Sequence, residues 1–221
     1  MEGIDDSKVG AWLEANVPGF EAPYQYELIT GGHSNLTFAC IDNSGRRVVL
    51  RRPPLGHVLE SAHDMGREHK IISALESSSV PVPKTYGLCS DPEVNGASFY
   101  VMDFIHGVVL NDSTFSVAIQ DSDRTALGEH VINILCDLHA VDIDAVGLGD
   151  LGRKEAYLAR QLNRWSKQWV ASKTHEIPAM EACQTLLSER MPDQIGASIV
   201  HGDFRLGNMI VDGPRVLAIL D

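Results

Sequence analysis

The sequence predicts an α+β fold in two parts, an antiparallel sheet carrying one inserted helix followed by a mainly helical half, on three observations. The runs YQYELIT (24 to 30), LTFACI (36 to 41) and RRVVLRR (46 to 52) are rich in β-branched and aromatic residues and succeed one another at short intervals. Beyond Asp121 the period changes, and Leu127, Val131, Ile134, Leu135 and Leu138 fall on one helical stripe. Strand texture then returns in NMIVDG and RVLAILD at the end of the chain. With 221 residues, 44% of them hydrophobic, the chain can bury a substantial core.

Taken in order, Val9, Trp12, Leu13 and Ala15 recur at helical spacing, and Pro18-Gly19 closes this first helix. The three runs above form a meander, with Asn43, Ser44 and Gly45 turning the second into the third. Pro53-Pro54 stops the sheet. Ser61 is then placed to cap a helix reaching about Ser77, with Met65, Glu68, Ile72 and Leu75 on one face. VPVPKTYGLCS returns the chain to the sheet, a polar excursion runs from Asp91 to Gly96, and SFYVMDFI supplies a fifth strand ending at His106-Gly107. After the Leu127 to Leu138 stripe, two more helical stretches cover roughly 154 to 172 and 178 to 190. ASIVHGD reads as a short strand, and the final pair as a hairpin turned at Asp212-Gly213. Phe104 to Gly107 is expected to be a tight hinge.

Eighteen basic against thirty acidic side chains give a net charge of -12, which opposes binding to nucleic acid or to an anionic membrane. Cys40, Cys89, Cys136 and Cys183 lie far apart and offer neither a zinc knuckle nor a redox pair. The start MEGIDDSKVG is acidic and lacks a signal peptide's apolar stretch, and no run reaches the roughly 18 apolar residues of a membrane span. A cytoplasmic protein is the expectation, its oligomeric state open.

Phosphoryl transfer needs a carboxylate to receive the acceptor's proton, metal ligands, and cations for the phosphates. HGDFRLGN sets Asp203 five residues before Asn208, the interval found in the kinase catalytic loop, and Asp221 ends an apolar strand where the metal-binding Asp of D-F-G would lie. An accidental match of this kind in a chain of this length has odds of about one in a thousand. Val48-Val49-Leu50-Arg51 aligns with the V-A-I-K pattern, which puts Arg51 at the phosphate-binding lysine's position and Glu68 where its ion-pair partner stands, with Glu60 the weaker candidate. A solvated Arg51-Arg52 pair at a strand end is the competing reading. Gly31, Gly32 and Ser34 in GGHSN lie between two strands, where backbone amides can approach phosphates; a glycine turn without a ligand is the alternative. Met102, Asp103 and Phe104 fall where adenine would pass the hinge, and Val49 and Ile219 are pocket contacts or simply core. Arg205 and Arg215 are further cations near the loop, with a surface role equally open, whereas His139 is expected to pack at a helix end.

With H-G-D where protein kinases read H-R-D, the chain resembles the aminoglycoside phosphotransferase and choline kinase superfamily. GGHSNLTF, VVLRRPP, the Glu68 helix, VPVPK, FYVMDFIHG and DLHAVD narrow the resemblance to the phosphotransferase domain associated with acyl-CoA dehydrogenases. The resemblance implies a bilobal protein-kinase-like fold with an N-lobe over 1–105 and a partial C-lobe over 106–221. It implies ATP and Mg2+ as cofactors, Asp203 as catalytic base, Asn208 and Asp221 as metal ligands, and His201 as a residue that holds the loop. Arg51 departs from the protein-kinase lysine but keeps its charge. The implied acceptor is the hydroxyl of a small molecule: a hydroxy acid or hydroxyacyl thioester, an amino alcohol, or an aminoglycoside-like compound. Family members continue past the equivalent of Asp221 with W-E or a similar pair, so a C-terminally truncated chain is expected, and a non-catalytic nucleotide-binding module or inactive fragment is the alternative.

Overall fold

The structure, a computed structural model, describes residues 1–29, 35–56, 64–110 and 119–220. Helix α1 (Asp6–Asn16) begins where the Asp5 carboxylate accepts from the Lys8 amide at 3.2 Å, and it buries Val9, Gly10 and Leu13. Strands β1 (Gln25–Leu28), β2 (Leu36–Ile41), β3 (Arg47–Arg52), β4 (Thr85–Cys89) and β5 (Phe99–Asp103) form an antiparallel sheet in the order β1-β2-β3-β5-β4. The β2–β3 hairpin closes on Asp42, whose Oδ1 accepts from the amides of Ser44 and Arg46 at 2.8 and 2.9 Å. Gly45 supplies the positive φ (85°) that this turn requires.

Side chains alternate across the sheet, and each face has its own cover. On one, Phe38, Cys40, Val48, Leu50, Phe99 and Val101 pack against Val9 and Leu13 of α1. On the other, Val49, Tyr100 and Met102 pack against Met65 and Ile72 of helix α2 (Met65–Leu75). Asp64 caps α2 by accepting from the Arg67 amide at 2.9 Å, so the described helix starts later than expected from Ser61, which lies outside the described residues. Leu75 at the far end of α2 belongs to a second core. There it meets Leu127, Ile134 and Leu138 of α4 (Arg124–Ala140) and Met209, Val211, Val216 and Ile219 of a terminal hairpin. A single helix therefore packs into both cores.

The segment from Asp91 to Gly96 is not loop alone. It contains helix α3 (Pro92–Asn95), because Asp91 caps the Glu93 amide, Pro92 occupies the first turn, and Gly96 leaves it at φ 72°. The terminal hairpin pairs β7 (Met209–Asp212) with β8 (Arg215–Ile219), and Asp212 faces Arg215, so the turn is Gly213-Pro214, one residue later than expected. A strand too short to read from sequence, β6 (Val108–Val109), joins β7 as a third member. Just before it, a Cβ on Gly107 would lie 2.5 Å from Ile210 Cγ2 and 2.8 Å from the Val211 carbonyl oxygen. The strand expected in ASIVHGD does not form: residues 191–201 carry no regular structure, and Ile195 and Val200 are exposed. Helices α5 (Tyr157–Ser172) and α6 (Pro178–Glu189) pack on each other and bury no residue fully. No described helix is long and apolar enough to cross a membrane.

Candidate active site

Arg51 and Arg52 are adjacent at the end of β3, and strand alternation sends them to opposite faces. Arg52 turns toward the α1 side, where its Nη1 donates to the carbonyls of Gly3 and Asn95 at 2.7 and 2.9 Å. It is buried, and that burial pushes its pKa down. Arg51 turns toward α2, and its Nε lies 2.9 Å from Glu68 Oε2. With only 13% and 23% of the two side chains exposed, this ion pair is better shielded than a surface pair. The solvated-pair reading of these two arginines therefore fails. Glu68 is brought there by α2, whose apolar neighbours Met65 and Ile72 fasten the helix to the sheet.

Two residues not singled out from the sequence complete this cluster. Asn35 Nδ2 donates to Glu68 Oε1 at 2.8 Å, and the Tyr100 hydroxyl donates to Glu68 Oε2 at 3.2 Å. The register explains their meeting: Tyr100 is the cross-strand partner of Arg51, and Thr37 is its partner on the other side, so Asn35, two positions before Thr37, shares that face. The signal was present in the GGHSN run and in FYVMD, but it becomes readable only once strand pairing is known.

The second cluster lies in the loop between residue 200 and β7. Asn208, 9% exposed at the end of a short helical turn (Leu206–Asn208), donates from Nδ2 to the Asp203 carbonyl at 3.0 Å and to Asp203 Oδ2 at 2.9 Å. Arg205 Nε donates to the same Oδ2 at 2.9 Å. Together Arg205 first and Asn208 second hold the Asp203 carboxyl below the usual carboxylate range. The Asp203 amide approaches His201 Nδ1 at 3.4 Å, and the His201 ring meets Phe204 edge-on, so His201 fastens the loop. The Leu220 amide donates to the Asn208 carbonyl at 2.8 Å, which sets the end of β8 beside the loop. Asn208 spends its amide hydrogens on Asp203, which leaves its side-chain oxygen as a hard donor of the kind Mg2+ takes.

Asp221, Gly31, Gly32, Ser34 and Glu60 lie outside the described residues. Val49 and Met102 are buried in the core beneath α2, while Phe104 packs at its edge with the Arg47 guanidinium over its ring at 5.0 Å. Asp103 accepts a hydrogen bond from Tyr86. Arg215 is exposed on β8 and Ile219 belongs to the second core. His139 is exposed in the last turn of α4. Among the described residues no three His, Cys, Asp or Glu side chains are grouped to hold a metal.

A family model described as "Phosphotransferase enzyme family" matches residues 25–221. The chain belongs to this phosphotransferase enzyme family. Like it is the mouse protein "Acyl-CoA dehydrogenase family member 10", 38% identical over 192 residues, a match covering 86% of this chain and 18% of the mouse protein. A solved Ralstonia eutropha structure, assigned as an aminoglycoside phosphotransferase, is 38% identical with a TM-score of 0.85 and covers 98% of this chain and 64% of its own. The streptomycin-ATP-APH(2")-IIa ternary complex is 20% identical with a TM-score of 0.65, over 100% of this chain and 71% of its own, and shares the fold. The phosphotransferase chain thus spans less than a third of the curated relatives it matches, between 18% and 29% of the first three. Its α+β architecture is the bilobal, kinase-like one of these structures, as the resemblance implied.

Proposed function

We propose that this phosphotransferase moves the γ-phosphoryl group of ATP to a hydroxyl of a small molecule, with Asp203 as the general base. The observation that carries the reading is the fixed carboxylate of Asp203, ionised by its donors and oriented by the buried Asn208. In the step proposed, the acceptor hydroxyl passes its proton to Asp203 as its oxygen bonds to the γ-phosphorus, and the bond from that phosphorus to the β–γ bridging oxygen breaks, releasing ADP. Arg51, paired with Glu68, would bind the phosphates, and the glycine-containing run GGHSN is the proposed further phosphate contact. At the hinge proposed at the 105/106 division, Met102, Phe104 and Val49 would be the adenine contacts. Asn208 and Asp221 would hold Mg2+, which neutralises phosphate charge when bound.

The resemblance to the domain associated with acyl-CoA dehydrogenases favours a hydroxy acid or hydroxyacyl thioester as acceptor. The test is ADP release from ATP and Mg2+ across a panel of hydroxylated acids, thioesters, amino alcohols and aminoglycosides. We expect one class to stimulate release and Asp203→Asn to lower that rate about a hundredfold or more while ATP still binds. Equal rates for the variant and the unaltered chain would remove Asp203 from the reaction.

A further inference from the structure

Glutamate reaches a cation through three rotatable bonds, so a single ion pair does not fix where its carboxylate sits. Glu68 is held by more than one group. Oε2 accepts from the Tyr100 hydroxyl at 3.2 Å and lies 2.9 Å from Arg51 Nε in the ion pair, while Oε1 accepts from Asn35 Nδ2 at 2.8 Å. Donors on both oxygens set the plane of the carboxylate as well as its position. The three partners of Glu68 come from different parts of the sheet: Asn35 precedes β2, Arg51 lies one residue before the end of β3, and Tyr100 lies in β5. Asn35 is 8% exposed and Tyr100 1% exposed, so neither can swing into solvent without leaving a polar group unpaired in the core.

We propose that Asn35 and Tyr100 are positioning residues that hold the Glu68 carboxylate so that Arg51 is aimed at the phosphates of the nucleotide. The proposal rests on the reading of Arg51 as the phosphate-binding cation and goes beyond it by naming what aims that cation. Asn35 and Tyr100 both bond the Glu68 carboxylate. Each acts through Glu68, and that sets it apart from a residue that merely satisfies a buried polar group. Were their part only to fill the core, their loss would lower the melting temperature and leave the affinity of the folded chain for nucleotide alone.

The experiment is titration calorimetry of the full chain with Mg·ATP, which needs no knowledge of the acceptor. Tyr100→Phe keeps the ring and its packing and removes only the hydroxyl; Asn35→Ala removes the other donor. Each is expected to weaken Mg·ATP binding about five- to tenfold. In a Glu68→Ala background the same two changes are expected to add nothing, because the group they act through is gone. If Asn35→Ala does not fold, Tyr100→Phe in the two backgrounds decides the matter. Unchanged affinity in Tyr100→Phe, or a loss of equal size with and without Glu68, overturns the inference while leaving the phosphotransferase reading in place. An unaltered chain that binds no Mg·ATP takes both down together.

Discussion

Asp203 carries two donors on one carboxylate oxygen, Arg205 Nε and Asn208 Nδ2, and the two differ in kind. Asn208 is buried and bonds the backbone of Asp203 as well, so it fixes the loop; Arg205 is exposed, and an exposed ion pair adds little to stability. Its effect falls on ionisation. Because the carboxyl is held below its ordinary range, chiefly by Arg205, the charged base persists to lower pH than a free aspartate would allow. Any stability the pairing contributes is present above the unfolded-state value and fades as pH falls through the lowered one. Arg205→Gln is therefore expected to move the acid limb of the kcat/KM profile to higher pH. A limb that stays in place would show that Asn208 alone sets the ionisation. Such candidates are legible in the sequence: the interval in HGDFRLGN marks Asp203 and Asn208, and the V-A-I-K alignment marks Arg51, with Glu68 on the helix that follows. Asn35 and Tyr100 were not, since a polar residue and a buried tyrosine acquire meaning here only through their places in paired strands.

At the level of elements, the sequence disclosed whatever is periodic or punctuated. The β2–β3 hairpin announces itself in Asp42-Asn43-Ser44-Gly45, and α4 in its apolar stripe, whose Leu127, Ile134 and Leu138 are buried. What stayed hidden depends on contacts elsewhere. ASIVHGD has a strand's composition but no neighbouring strand to pair with among the described residues, whereas β6 has only two residues and exists because β7 lies beside it. Gly107 shows how close that approach is. A methyl group there would press on Ile210 and on the Val211 carbonyl of β7, so Gly107→Ala is expected to cost about 1–3 kcal/mol. Thermal unfolding should register this as a drop of roughly 2 to 4 °C per kcal/mol. An unshifted melting temperature would mean that β7 gives way without loss.

Across the whole molecule, α2 packs into both cores, with Met65 and Ile72 in the one beneath the first sheet and Leu75 in the one around the terminal hairpin. The same helix carries Glu68, so the nucleotide grip proposed in the first half is tied mechanically to the hairpin that leads to residue 220. The order of elements was readable from the sequence, but this sharing of one helix was not, because a stripe of apolar positions does not say how many partners it has. Burial is uneven at this scale. The central strands β2, β3 and β5 are enclosed on both faces, while α5 and α6 bury nothing fully and leave Trp165, Val170 and Leu187 more than half exposed. Hydrogen–deuterium exchange should accordingly be slowest in those three strands and much faster in α5 and α6, despite their complete helical bonding. Uniform protection would contradict this division. The paired arginines of β3 have a last implication. If the strand slipped by one position, Arg51 would be thrust among the carbonyls of Gly3 and Asn95 and Arg52 would confront the carboxylate on α2. Mass, isoelectric point and electrophoretic mobility would all be identical in the slipped form, so a preparation judged sound by those criteria could still have lost its grip on phosphate.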